Sequence, residues 1–113
     1  MDKILRCLIV AVLASTGASA MACSYPGDPD FVVPDGSTAT KEQMIDTQQL
    51  VKAYVKTIEE YLGCLDRNLA AAGDQSTEEQ RAIHTLRYNA AVDSMEMIAD
   101  KFNLSLRDYK AEK

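Results

Sequence analysis

The sequence has no tryptophan, one histidine (His84), three cysteines and three prolines. Each shortage excludes a class of protein. One histidine leaves no His-x-x-x-His pair, and no Cys-x-x-Cys occurs, so zinc ribbons, zincins and c-type haem attachment are excluded. The residue three before His84 is Arg81, so the Glu-x-x-His element of four-helix di-iron proteins is missing too. Nucleophilic catalysis needs a base beside the nucleophile and a group to orient it. With one histidine and no Gly-rich elbow, the chain offers nothing to assemble one from. All three prolines (Pro26, Pro29, Pro34) fall within residues 23–40 and exclude a helix there.

Basic residues are also in short supply, 12 against 17 acidic. The N-terminal stretch makes the imbalance larger. Lys3 and Arg6 form a charged n-region, and Cys7–Ala14 is an apolar run too short to span a bilayer. Small residues follow, ending in Ala18-Ser19-Ala20, an A-x-A cleavage pattern, with Ala20-Met21-Ala22 a second acceptable site. Residues 1–20 are therefore expected to be a signal peptide, and the chain to be exported. Its removal takes away Asp2, Lys3 and Arg6, leaving 10 basic and 16 acidic residues, a net charge of −6. That balance argues against nucleic acid or an anionic membrane surface as partner. No transmembrane segment remains after signal removal. A mature chain of this size buries only a modest core and gains from a staple or a partner subunit.

Two long helical patterns make up the rest. From Lys41 to Ala72, apolar residues recur at alternating steps of three and four: Met44, (Gln48), Val51, Val55, Ile58, Leu62, Leu65, Leu69, Ala72. Tyr54, Tyr61 and Cys64 lie on one flank of that seam, where another segment can pack. Thr40-Lys-Glu-Gln43 is a capping box that starts the helix, and Gly73 is a suitable stop. Overlapping capping boxes at Ser76–Glu79 and Thr77–Gln80 start a second helix, over about residues 77–110. Its seam reads His84, Tyr88, Ala91, Met95, Ile98, Phe102, (Ser105), Tyr109, flanked by Val92, Ala99 and Leu106. Two helices of ~50 Å joined by a short turn predict an all-α antiparallel two-helix hairpin (residues 41–113) behind an irregular Pro/Gly-containing leader (residues 21–40). The apolar faces are wider than two helices cover, an excess of which the leader can hide part and a homodimer forming a four-helix bundle can hide more.

The leader contains Cys23, and the first helix contains Cys64. In an exported chain an even pair of cysteines reads most simply as one disulfide. Thr40 to Cys64 rises ~36 Å along a helix. The seventeen residues from Cys23 to Thr40 reach ~53 Å when extended, enough to run back to Cys64. The competing reading is a lipid anchor on Cys23, although Ala20-Met21-Ala22 lacks the Leu usual three residues before a lipidated cysteine. Phe31, Val32 and Val33 form an apolar patch expected to lie on the Tyr54/Tyr61 flank. Gly63, next to Cys64, is expected to let the leader backbone approach closely. The aspartates Asp28, Asp30 and Asp35 lack the ligand spacing of an EF-hand, since Val32 and Val33 stand where ligands are needed.

The remaining polar features are surface-like. Asn89, Asp93, Glu96 and Asp100 form a polar row on the second helix and a candidate partner face for a protein or a second copy. Paired acids on outward helix faces do not make an acid/base site, which needs carboxylates in a cleft with separated pKa values. Met95 and Met97 with Tyr54, Tyr61, Tyr88 and Tyr109 resemble an adaptable groove, but Met95 and the seam tyrosines read more simply as core and flank. No cofactor or metal is expected, and no enzymatic activity. The expected function is an exported, periplasmic binding or scaffolding module. The alternatives are an envelope-stress or chaperone-like client binder and a metal- or cofactor-handling helical protein.

Val33-Pro-Asp-Gly-Ser-Thr-Ala-Thr40, Tyr61-Leu-Gly-Cys-Leu65, Tyr88-Asn-Ala-Ala-Val-Asp-Ser-Met95, Lys101-Phe-Asn103 and Arg107-Asp-Tyr-Lys110 together resemble a family of small uncharacterised exported proteins of Gram-negative bacteria. The resemblance covers nearly the whole mature chain. It implies a helical, periplasmic or secreted protein with one cysteine near the mature start and another late in the first helix. That family has no assigned activity, so the resemblance implies no site residues.

Overall fold

The computed structural model describes residues 22–112; the expected signal peptide, residues 1–20, lies outside them. Two helices, α1 (Lys41–Ala72) and α2 (Glu78–Ala111), pack against each other as an antiparallel hairpin. No strand occurs among the described residues, and no helix among them is long and apolar enough to cross a membrane.

Local chemistry sets the helix ends. The Thr40 hydroxyl accepts from the Gln43 amide (3.1 Å) while the Gln43 side chain accepts from the Thr40 amide (2.8 Å), satisfying two orphan donors. Gly73 ends α1 at φ +53°, a conformation costly for any residue with a Cβ. A 3-10 turn, Gly73–Gln75, follows. Of the two overlapping boxes before α2, the structure uses Thr77 with Gln80 (3.0 and 2.9 Å). Ser76 instead accepts the Arg81 guanidinium on both its carbonyl oxygen (2.6 Å) and its hydroxyl (2.9 Å).

The hairpin register sets Met44 against Ser105 near the open end and Asp66 against His84 near the turn. Midway, Ile58 and Ala91 fall opposite each other, and both are fully buried. The small side chain leaves room for the large one opposite it. Around them α1 buries Met44, Thr47, Val51, Tyr54, Ile58, Tyr61, Leu62 and Leu65. This departs from the expected seam. Gln48 is exposed and Val55 is half-buried, while Thr47, Tyr54 and Tyr61 are buried. The buried stripe is turned toward the tyrosine flank because the leader covers that side. On α2 only Ala91, Ile98, Phe102 and Ser105 are buried. His84, Tyr88, Val92, Met95, Ala99, Leu106 and Tyr109 are half-buried. The far side of α2 is therefore less covered than a full seam requires.

The leader lies along the hairpin and touches both helices. Cys23 and Cys64 stand at disulfide distance, with a Cα–Cα separation of 5.7 Å. The Asn68 amide donates to Cys23 Sγ (3.2 Å). Tyr25 meets Tyr61 edge-to-face, ring centroids 5.5 Å apart, and its hydroxyl bonds Ser94 of α2 (2.7 Å). Tyr54 donates to the Gly27 carbonyl (2.9 Å), and Ser105 donates to that of Pro34 (2.7 Å). Gly36 is seated on the α2 backbone, where a Cβ would run into the Ser105 carbonyl and come within 2.8 Å of the Tyr109 nitrogen. Gly63 does not have the role expected of it: a Cβ there would meet only the Arg67 guanidinium, at 3.2 Å.

Candidate functional site

The segment facing the Tyr54/Tyr61 flank is Cys23–Gly27, and Phe31–Val33 lie further on, against the C-terminal half of α2. The displacement follows from length: contacts at Cys23, Tyr25 and Gly27 use up the flank before the chain reaches Phe31. Phe31 and Val33 pack on the core, whereas Val32 is 89% exposed. Together with Met97, Ile98, Lys101, Leu104, Ser105 and Asp108, residues Asp28, Pro29 and Phe31–Gly36 line an open cleft of about 940 Å³.

Turn chemistry shapes this stretch. The Asp35 carboxylate accepts from the Ser37 amide (2.9 Å) and hydroxyl (2.7 Å). Its carbonyl accepts from the Thr38 and Ala39 amides, tying down the chain ahead of α1. The two bonds from Ser37, the hydroxyl's first and then the amide's, hold the Asp35 carboxyl below its ordinary pKa. At the other end of the leader, burial pushes the Tyr54 hydroxyl up to about 12, with Tyr25 and the Asp28 charge adding to the shift.

The candidate partner face is brought together as a row. Asn89, Asp93, Glu96 and Asp100 are all exposed and share one side of α2. Beside it runs an apolar row that sequence reasoning missed: Leu86, Met97 and Leu104, exposed by 72%, 58% and 54%. Spacings of eleven and seven residues return to nearly the same angle on a helix. The signal was present, but Asp93, seven residues after Leu86, interrupts it where an apolar residue would have continued the row. Met95 and the four tyrosines are core or flank, as the simpler reading expected, but Met97 is on the surface.

His84 bonds the Asp66 carboxylate through Nε2 (2.9 Å) and stacks on Tyr88, centroids 5.6 Å apart. The bond to Asp66 fastens the two helices near the turn, while the stack on Tyr88 lies within α2 and holds the imidazole in place. Among the described residues no group of three or more His, Cys, Asp or Glu is gathered to hold a metal. Nor is any buried side-chain polar atom among them left without a partner. Comparison with protein-family models, curated proteins and solved structures finds no match to this chain.

Proposed function

We propose that the protein is an exported, non-enzymatic binding or scaffolding module that presents one side of α2 to a protein partner, with Cys23 and Cys64 joined as a disulfide and the periplasm as its compartment. The observation that carries this reading is the pairing of two rows on α2. Leu86, Met97 and Leu104 leave large apolar side chains in solvent beside the polar row Asn89, Asp93, Glu96 and Asp100. An exposed apolar stripe rimmed by polar residues is the usual form of an interaction surface. The leader supports the same reading, because it is tied to both helices and borders the Met97 and Leu104 end of the row without covering it. A photo-reactive residue at Leu86 should form discrete cross-links to a partner in the exporting host, and one at Gln48, exposed on α1, should not. Equal labelling from both positions would remove the assignment.

A homodimer is the second reading. Val92, Ala99 and Leu106 recur every seven residues and stay half-buried, a row suited to two-fold packing of hairpins into a four-helix bundle. Sedimentation of the purified protein separates the two readings. A dimer that dissociates when Val92 and Ala99 are replaced by glutamate would favour self-assembly. A client-binding role is a variant of the first reading that uses the adaptable Met97 side chain. Protection of an aggregating client at sub-stoichiometric ratios would identify it.

A further inference from the structure

The cleft between the leader and the last turns of α2 has a chemistry of its own. Its floor and sides are apolar: Phe31 and Val33 are half-buried, and Val32, Met97 and Leu104 stand largely in solvent. Its charges are unequal, three carboxylates (Asp28, Asp35, Asp108) to one ammonium (Lys101). Asp35 is engaged by Ser37. Asp28 and Asp108 are in no ion pair among the described residues. They lie toward opposite ends of the cleft. Asp28 follows Gly27, which is tied to Tyr54, and Asp108 is next to Tyr109, on whose backbone Gly36 rests. From Met97 to Asp108 the helix rises ~16 Å, the length of about five extended residues.

Resting on the reading of the chain as a binding module, we propose that this cleft receives a short basic, apolar segment of a partner polypeptide. Two large apolar side chains seat against Phe31, Met97 and Leu104, and flanking Lys or Arg side chains meet Asp28 and Asp108. Charge complementarity selects this occupant. The uneven rim and the net charge of −6 expected of the mature chain attract a basic segment and repel an acidic one, a phosphate or an anionic lipid.

The test is a titration of isotope-labelled full mature protein, followed by amide NMR, with the synthetic peptide Lys-Leu-Ser-Leu-Lys. Controls are Glu-Leu-Ser-Leu-Glu and Lys-Ser-Ser-Ser-Lys. Saturable shifts confined to Phe31–Gly36 and Met97–Asp108 are expected, with both controls weaker by about tenfold or more. Leu104→Gln and the double change Asp28→Asn, Asp108→Asn alter surface positions. Each should weaken the first peptide by a similar factor, and the double change should also flatten the salt dependence. Shifts along Asn89, Asp93, Glu96 and Asp100 would mean diffuse charge attraction and overturn the proposal, as would indifference to these substitutions or no binding at all. Concentration-dependent shifts of the same amides without peptide would make a second copy the occupant. Cross-links from Leu86 read the wider function independently. Their persistence in Leu104→Gln, with the peptide result negative, would sink the cleft alone.

Discussion

The Ser105 hydroxyl donates to the Pro34 carbonyl at 2.7 Å, joining positions 71 residues apart. A polar side chain in the α2 seam is thereby satisfied at a place where burial without a partner would be costly. The same hydroxyl lies 3.7 Å from Met44 Sδ. One residue of α2 therefore contacts both the leader and the first turn of α1. Ser105→Ala should cost about 1 kcal/mol, because the Pro34 carbonyl loses its donor. Denaturant unfolding measures this, and an unchanged midpoint would mean that water replaces the bond.

Gly36→Ala should be the most damaging small change in the leader. Its added methyl has to displace α2 backbone, with an expected cost of about 1–3 kcal/mol or undocking of the leader. Hydrogen exchange at the Thr38 and Ala39 amides, bonded to Asp35, should speed up with it. Gly63→Ala should do the reverse. Within a helix, and facing only a movable guanidinium, it should gain up to ~1 kcal/mol.

In the core, Ile58→Ala should cost about 2–5 kcal/mol and Phe102→Ala about 3–5 kcal/mol. Ala91→Leu should cost about 1–3 kcal/mol by overpacking a fully buried position. Gln48→Ala should stay within about 0.5 kcal/mol, since Gln48 is exposed. Thermal or denaturant unfolding of the four variants checks the register.

The helices, their caps and the Gly73 stop were legible because they depend on neighbours within one turn. The meeting of Cys23 and Cys64 was legible from the even pair of cysteines and from a leader long enough to bring them together. The face that α1 buries was not. Tyr54 and Val55 stand three and four residues after Val51, and the choice between them depends on where the leader packs. For the same reason Ser105 read as a gap in the seam, when it is a tie to Pro34. The Leu86–Met97–Leu104 row was hidden by Asp93, a polar residue on its line between Leu86 and Met97. The cleft belongs to two segments distant in sequence, so no local pattern could show it.

Ionisation should report both ends of the leader. The Tyr54 pKa is raised to about 12 from 10.0, so its contribution to stability is complete below pH 10 and is lost as pH rises toward 12. Ultraviolet titration should show one tyrosine ionising late, and Tyr54→Phe should abolish that phase. Asp35 shifts the other way, below 3.8. Its contribution is complete above that value and is lost as pH falls through the lowered pKa. Asp35→Asn should therefore make the acid limb of the stability curve shallower.

The staple is expected to restrain the unfolded chain by roughly 4 kcal/mol in the loop-entropy model, over a sequence separation of 41. Cys64→Ser should lower the melting temperature about as much as reduction does, and reducing the variant should change nothing further. A wild-type melting temperature indifferent to reductant would exclude the disulfide.

The most direct measurement is the intact mass of the protein recovered from its native host, alkylated with and without prior reduction. The account predicts a chain beginning at Met21 or Cys23 that takes up two alkyl groups only after reduction. A mass carrying acyl chains on Cys23, or two thiols alkylated without reduction, would contradict it.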